Sequence, residues 1–407
     1  MFGRLLGGLL LVMLAVMATA LPASAHTEID PMSPRDGVRL AAAPNALEIG
    51  FSDPVAASDI DVRAEIDGEP VHLGPVSVDG HLVRVAVGPG QPSGSWLVRV
   101  TAAGPDGHPV HTSYAFVVGD GPLVTVDGSA IAAGPDAVSR VRSFLDLLVH
   151  LGVLLPAGGL ALLLTWRGGL AQRRTLLTIT AGAAVAAEAS VAQAVLHGAA
   201  IHGEGLGSAF MHLDAAWLTP YGRLALVRAV ALVALAALLV RASPGRRPHC
   251  ENGAITAGVV VVLSLVASSH LVGAPLGLLL GMVHVGTICL WLGGLVLMGT
   301  SRTPPPPEAW SRWTIVAPWC FGLAVLTGVA SVVALTTAPP GPARAAWWSL
   351  LLLKMVGVAT AAALALVARS AVRASASSAL VRQAVVTEAV VGLVAVAGAV
   401  GLASTQL

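Results

Sequence analysis

Charged residues are scarce in this sequence. Asp, Glu, Lys and Arg make up only 11% of its 407 residues, whereas soluble globular domains contain about 25%. Hydrophobic residues make up 55%, so too little polar surface is left to coat a soluble protein. Aromatic residues are also few, at 4%, which argues against a stacking surface for nucleic acid or carbohydrate. We therefore expect a membrane protein that has no nucleic-acid partner.

Cysteine is rarer still, and its distribution excludes two further classes of protein. The three cysteines, Cys250, Cys289 and Cys320, all lie in the apolar part of the chain and form no CxxC pair. A disulfide framework and a zinc knuckle both need paired cysteines, so we expect neither. The polar N-terminal part must fold on its hydrophobic core alone.

The formal net charge of +1 hides a division of the chain. Residues 26–140 contain 15 acidic and 6 basic residues, which leaves a balance of −9. Residues 141–407 contain 7 acidic and 16 basic residues, a balance of +9. The sequence therefore joins an acidic polar part to a basic apolar part.

The first 25 residues have the order of a secretory signal peptide. Arg4 precedes an apolar run over residues 5–21, and the segment ends in Ala23-Ser24-Ala25. A short apolar run followed by small residues is typical of a cleaved signal. We predict that residues 1–25 are removed, that the mature chain begins with His26, and that the first domain lies outside the cytoplasmic membrane.

Residues 26–120 have the pattern of an all-β domain. Short segments rich in β-formers alternate with turn signals such as Asp67-Gly68, Asp79-Gly80 and Asp106-Gly107, and no segment reads as a convincing helix. This pattern predicts an antiparallel β-sandwich or small barrel. The predicted strands cover residues 46–51, 60–66, 76–78, 82–87, 95–101 and 112–118.

Three residues of this domain have the chemistry of a copper site. An N-terminal His26 offers its α-amine and imidazole Nδ1 to one metal, and the amine, with a pKa of about 8, loses its proton easily at neutral pH. Asp106 and His108 are i and i+2 on an extended segment, so their side chains point the same way. Nitrogen-rich tetragonal sites favour Cu(II). We predict that His26, Asp106 and His108 bind Cu(II), with His111 facing away.

The same domain resembles the CopC family. The resemblance covers nearly all of residues 26–118 and implies a periplasmic copper-binding β-barrel of Greek-key topology, with Cu(II) held by His26, Asp106 and His108. A second, Met-rich Cu(I) site of some members is not expected, because the domain contains only Met32. The matching segments are the mature start His26-Thr27, PMSPRDG (31–37), LEIGFSDPV (47–55), DGHPV (106–110) and YAFVV (114–118).

The remainder of the chain predicts a linker followed by an all-α membrane domain. Residues 121–140 are rich in Gly, Ala, Asp and Pro, which is typical of a linker. Residues 141–407 contain apolar runs of about 20 residues, the length that crosses a bilayer. We predict eight transmembrane helices. The predicted spans are 143–165, 175–197, 221–240, 254–272, 276–299, 314–336, 347–368 and 383–403.

Basic residues indicate the orientation of these helices. Eleven arginines fall in the loops after the first, third, fifth and seventh predicted spans. Because cytoplasmic loops are enriched in Lys and Arg, these loops are predicted to be cytoplasmic. The first domain and the C-terminus would then both lie on the extracytoplasmic side of a bacterial cytoplasmic membrane.

A weak internal repeat relates the two halves of the membrane domain. Residues 147–150 (LLVH) and 158–160 (GGL) resemble residues 282–284 (MVH) and 293–295 (GGL). Parallel repeats of this kind occur in transporters. The repeat suggests two four-helix halves.

Histidines provide candidate metal ligands for the membrane domain. Ionisable groups inside a span are costly, so they usually face a cavity or a partner. Interhelical hydrogen bonding is the alternative for those in the spans, and a solvated loop is the alternative for those in the loop after the second span. The candidates within the spans are His150, His270 and His284. The candidates in the loop, on the side of the β domain, are His202, Met211 and His212.

Two further polar residues are expected to have structural roles. We expect Arg228 to pair with Glu188 or Glu388, or to extend to the membrane surface. We expect His197, at the end of the second span, to be solvated.

The membrane domain resembles the CopD family, the inner-membrane partner of CopC. This resemblance covers about residues 141–403 and implies a role in copper uptake or copper tolerance. The chain as a whole is thus similar to a CopC–CopD fusion. The matching segments are TPYGRL (219–224), SSH (268–270), His284 with WLGG (291–294), residues 348–354 and residues 382–388.

From these patterns we predict a copper-binding membrane protein that is not an enzyme. It would capture Cu(II) outside the membrane and deliver it to the membrane domain, where copper could be held as Cu(I), for copper uptake, homeostasis or resistance. Its partners would be copper, the lipid bilayer and other extracytoplasmic copper proteins. Two alternatives stay open: a membrane haem b electron carrier or metal reductase, and a copper mono-oxygenase that uses the N-terminal histidine.

Overall fold

The computed structural model describes residues 29–51, 55–104, 107, 109–122, 136–269, 275–335, 343–373 and 378–404. Several residues singled out by the sequence lie outside this part. They are the predicted signal peptide together with His26, Asp106, His108 and His270.

The N-terminal domain is built of β-strands, as the alternating pattern predicts. Its strands are β1 (Ile29–Ser33), β2 (Arg39–Leu40), β3 (Ala46–Phe51), β4 (Ile60–Ile66), β5 (Glu69–Val71), β6 (Leu73–Asp79), β7 (Leu82–Val87), β8 (Gly94–Ala103) and β9 (Pro109–Val118).

These strands form two sheets with the orders β1-β3-β7-β6 and β2-β9-β8-β4-β5. Along β8, alternate residues Trp96, Val98 and Val100 are buried, because successive side chains of a strand point to opposite faces. Trp96 stacks on Phe116 of β9 with ring centroids 5.2 Å apart. The predicted β-sandwich is confirmed, and its strands pair antiparallel except for β2 and β9, which pair in parallel.

Three strands escape the sequence pattern, and three others are longer than predicted. β2 and β5 have only two and three residues, too few to show an alternation, and the pattern does not predict β1 either. The strand predicted over 76–78 extends over Leu73–Asp79, that over 95–101 extends over Gly94–Ala103, and that over 112–118 extends over Pro109–Val118.

The Asp-Gly turn signals are confirmed where the structure describes them. Ile66 pairs with Glu69 across a two-residue turn, in which Asp67 and Gly68 both have positive φ. The Asp67 carboxylate also accepts a 2.9 Å hydrogen bond from the Ser95 amide. Asp and Gly tolerate this left-handed backbone, which matches the twist of a hairpin.

The C-terminal domain is a bundle of long helices. They are α1 (Asp136–Thr165), α2 (Arg173–Ile201), α3 (Pro220–Ala242), α4 (Pro248–Ala267), α5 (Pro275–Thr300), α6 (Pro307–Leu335), α7 (Ala343–Arg373) and α8 (Ser378–Ser404). Because α1 begins at Asp136, the last five residues of the predicted linker 121–140 belong to this helix.

Six helices in the described part of the chain, α1 to α6, are long and apolar enough to cross a membrane. The apolar segment found in α7 is shorter, over Met355–Ser370. The chain thus has a multi-pass helical domain, and the count of eight membrane spans stays a prediction.

Glycines bring α1 and α5 close together. A Cβ atom at Gly158 of α1 would overlap the backbone of Gly293 of α5, and one at Gly293 would overlap the Leu154 carbonyl. Small residues allow helix backbones to approach closely in a membrane. The glycines that the internal repeat aligns are therefore the ones that meet between the two halves.

Candidate functional site

The β domain contacts the bundle through the turn that contains Gly107. This residue has a positive φ of 72°, and its carbonyl accepts a 2.6 Å hydrogen bond from Nη2 of Arg142 on α1. A Cβ atom at position 107 would overlap the ring of Tyr221 on α3. Glycine is thus required here both by the backbone conformation and by the close approach of Tyr221.

Arg142 belongs to a buried polar cluster between the two domains. Its Nη1 lies 3.3 Å from Nδ1 of His197 on α2, and its guanidinium lies over the Tyr221 ring, 5.2 Å from the centroid. His197 Nε2 lies 3.4 Å from Oδ1 of Asp59, which precedes β4. The exposed fractions of Arg142, His197 and Asp59 are 5%, 0% and 4%.

The donors in this cluster determine the tautomer of His197. Arginine can only donate hydrogen bonds, so Nδ1 of His197 accepts from Arg142. The ring proton then lies on Nε2, which faces Asp59. The Arg142 guanidinium is thus buried against the Gly107 carbonyl, the His197 ring and the Tyr221 ring. Hydrogen-bond partners of this kind lower the cost of burying a charge.

A second, partly exposed cluster lies beside the first. His202 Nδ1, just after α2, is 3.5 Å from the Asp61 carboxylate of β4, and the His202 ring lies 4.2 Å from that of His212. His212 Nε2 lies 3.0 Å from Glu204. Arg63 of β4 contacts Asp61 at 2.8 Å and Glu204 at 3.8 Å.

Hydrogen bonds shift the pKa values of three residues in this second cluster, His202, Asp61 and Glu204. The hydrogen bond to Asp61 raises the pKa of His202, and partial burial opposes this rise. Burial would raise the pKa of Asp61, but hydrogen bonds from His202 and Arg63 and the charges of both lower it. The hydrogen bond from His212 lowers the pKa of Glu204. These groups therefore favour their charged forms and connect the β domain to the loop after α2.

A third polar group lies deeper, between α2, α3 and α4. Arg228 is 2% exposed. Its guanidinium donates to Ser190 at 3.0 Å, to Gln193 at 2.8 Å and to Ser268 at 3.2 Å. Gln193 in turn donates to Asp146 of α1 at 2.5 Å. The expected pairing of Arg228 with Glu188 or Glu388 is wrong, because neutral side chains satisfy its donors.

Glu388 has a different partner on the other side of the bundle. Its Oε1 accepts a 3.2 Å hydrogen bond from Trp291 Nε1, which connects α8 to α5.

The structure brings together only some of the residues predicted for a copper path. His202 and His212 are neighbours, whereas the Met211 side chain is 79% exposed. His150 Nδ1 lies 2.7 Å from the Asp146 carbonyl of its own helix. His284 Nδ1 lies 2.8 Å from the Ala324 carbonyl on α6.

Metal coordination by these residues stays a prediction. Within the described ranges, no group of three or more His, Cys, Asp or Glu side chains is arranged to hold a metal ion. The ligands predicted for the main site, His26, Asp106 and His108, lie outside those ranges, as does His270.

Sequence reasoning missed the buried cluster. His197 was expected in a solvated position, yet it is completely buried, because α2 continues to Ile201 and the β domain covers the end of the helix. The available signal was a pair of i, i+4 polar spacings, Arg142 with Asp146 and Gln193 with His197. Residues at this spacing share one helix face.

Comparisons with known proteins agree with the architecture. Residues 29–119 match the family model of the CopC domain, which confirms the resemblance predicted for the N-terminal domain. The copper transport protein CutJ of Bacillus subtilis (strain 168) is 24% identical over 322 residues. That match covers 73% of this chain and so extends into the helices, but the chain spans only 58% of that protein.

Two solved structures match the N-terminal region. CopC from Methylosinus trichosporium OB3b is 21% identical and covers 25% of this chain and 100% of its own, with a TM-score of 0.22. PcoC, a methionine-rich copper resistance protein from Escherichia coli, is 23% identical and covers 23% of this chain and 98% of its own, with a TM-score of 0.21.

Proposed function

We propose that this protein binds Cu(II) on the extracytoplasmic side of a bacterial cytoplasmic membrane and delivers it to the membrane domain. It serves copper uptake and homeostasis, as a binding and transport protein rather than an enzyme. The CopC domain match over residues 29–119 and the name of the Bacillus relative support a copper function. The six apolar helices support a membrane location.

Delivery of copper from the β domain to the helical domain is supported mainly by the contact of Gly107 with the helices. Gly107 lies between Asp106 and His108, the two side-chain ligands that we propose for Cu(II). Its carbonyl accepts a hydrogen bond from Arg142, and the Tyr221 ring packs against its backbone. A Cu(II) ion held at this turn is therefore released next to the bundle. The covalent connection of the domains raises the effective concentration of donor site near acceptor.

His26 completes the proposed site with its α-amine and imidazole. His202 and His212 are the first proposed contacts of released copper, because this pair lies in the loop after α2, beside the β domain. His150, His270 and His284 are proposed as deeper contacts. Cu(I) would be the form that crosses if the ion is reduced by an external donor.

Cellular copper content tests the proposed function. Under copper limitation we expect a deletion strain to contain less copper than the parent, and the wild-type chain to restore it. Asp106→Asn should fail to restore it while the protein is still present in the membrane at the normal level. Unchanged copper content after deletion would rule out a role in uptake, and increased content would indicate efflux or sequestration.

Two measurements test the alternatives. A purified protein with a haem Soret band would favour the electron carrier, and we expect no such band. Oxidation of a polysaccharide by the copper-loaded protein would favour the mono-oxygenase, and we expect no oxidised product.

A further inference from the structure

Arg142 of α1 is hydrogen-bonded to the Gly107 turn of the β domain. Its two terminal nitrogens have different partners, the Gly107 carbonyl at 2.6 Å and His197 Nδ1 at 3.3 Å. A planar guanidinium with two fixed partners has a defined orientation. Arg142 therefore presents a rigid charged donor to the β domain.

The helices around Arg142 fix its position further. Asp146 follows Arg142 by one helical turn on α1, and Gln193 precedes His197 by one helical turn on α2. Asp146 and Gln193 therefore form the next layer of the bundle, farther from the β domain. Gln193 donates to Asp146 and accepts from Arg228 of α3. The layer below Arg142 is thus hydrogen-bonded across three helices, and a tilt of α1 or α2 would displace the guanidinium.

Both backbone polar groups of Gly107 are bonded, but to different domains. Its amide donates to the Gly104 carbonyl at 2.9 Å, within the β domain. Its carbonyl accepts from Arg142, and the Tyr221 ring covers the space that a side chain would take. The conformation of the turn is therefore determined jointly by the β domain and by the membrane helices.

We propose that Arg142 is a positioning residue for the Gly107 turn, and that through it the membrane helices control how fast the β domain releases Cu(II). The copper part of this inference rests on the proposed function, and the positioning part does not. A movement of α1 relative to α2 withdraws the donor from the Gly107 carbonyl, which loosens the turn and speeds release of the ion.

Hydrogen exchange on the copper-free full chain in nanodiscs tests the positioning part. In Arg142→Met, peptides that contain Gly107 should exchange about tenfold faster, the order expected when a charge-assisted hydrogen bond is lost. Peptides from β7 in the core should not change. Arg142→Lys should give an intermediate rate, because one ammonium cannot reproduce the two-armed contact. Arg246→Met removes the same charge from an exposed position in the loop after α3 and should leave the turn unchanged.

Two exchange results would overturn the positioning role. One is an unchanged rate around Gly107 in both Arg142 variants. The other is an equal increase in β7, which would mean that Arg142 supports the whole β domain rather than the turn.

Copper release then tests the second part. The same variants, loaded with Cu(II), are mixed with a strong chelator, and samples frozen at successive times are measured by electron paramagnetic resonance to follow the replacement of the protein-bound Cu(II) spectrum by that of the Cu(II) chelate. We expect release to be about tenfold faster in Arg142→Met than in Arg246→Met, as for the exchange rates. Equal rates would overturn the control of release. A wild-type chain that binds no Cu(II) would refute the proposed function, while the exchange experiment would still decide the positioning role.

Discussion

Replacing Gly158 by alanine should destabilise the helical domain, although alanine normally favours a helix. A Cβ at this position would lie 2.3 Å from the Gly293 carbonyl carbon, whereas ordinary contacts begin at 3.4 Å. The helices α1 and α5 must therefore separate by about 1.1 Å, because the contacting group is backbone. Overpacking of this kind costs roughly 1–3 kcal/mol, against a gain in helix propensity of about 1 kcal/mol. We expect a net loss on the order of 1 kcal/mol or more.

Gly322 on α6 provides the matched control. A Cβ there meets no atom within 4 Å, so Gly322→Ala keeps the gain in helix propensity without the overlap. The two substitutions should therefore shift stability in opposite directions. The assay is the temperature at which half of the purified protein loses its monodisperse peak in size-exclusion chromatography. A decrease for Gly322→Ala as large as that for Gly158→Ala, or an increase for both, would refute the reasoning.

Three further predictions concern polar groups. The pKa of His202 is raised by its hydrogen bond to Asp61. The His202–Asp61 ion pair should therefore be fully present below the ordinary histidine pKa of about 6.5 and be lost as pH rises through the raised pKa. NMR titration of His202 should show the raised pKa, and Asp61→Asn should abolish the shift. One extra residue ahead of His26 should weaken Cu(II) binding at least about tenfold in chelator competition, since it removes the α-amine ligand; equal affinity would exclude His26. Arg228→Met should cost about 1–3 kcal/mol, because it leaves a buried acceptor such as the Gln193 side-chain oxygen unsatisfied, and it should lower thermal stability more than Met at exposed Arg223.

The β-sandwich follows from the sequence because its pattern is local. Alternate residues of β8 are apolar, and Asp67-Gly68 encodes a tight hairpin turn; both depend only on neighbouring residues. The helices follow from apolar length for the same reason. The predicted boundaries differ most from the observed ones at helix ends. At Asp136, for example, polar residues continue α1 beyond its apolar segment.

The buried interface could not be predicted from local patterns. His197 is buried because a separate domain covers the end of α2, and Arg228 finds serine and glutamine because of how α2, α3 and α4 are rotated. Neither relation is encoded in residue spacing along a single helix. The i, i+4 pairs identify helix faces that need partners, but not which partners they find.

The network around Arg228 also has a consequence for ion selectivity. Arg228 keeps its charge in a low-dielectric interior, with Asp146 reached only through Gln193. A monovalent metal cation placed 4 Å from this fixed positive charge would be repelled by roughly 4 kcal/mol at an effective dielectric constant of about 20. The space between α2, α3 and α4 is therefore unfavourable for cations.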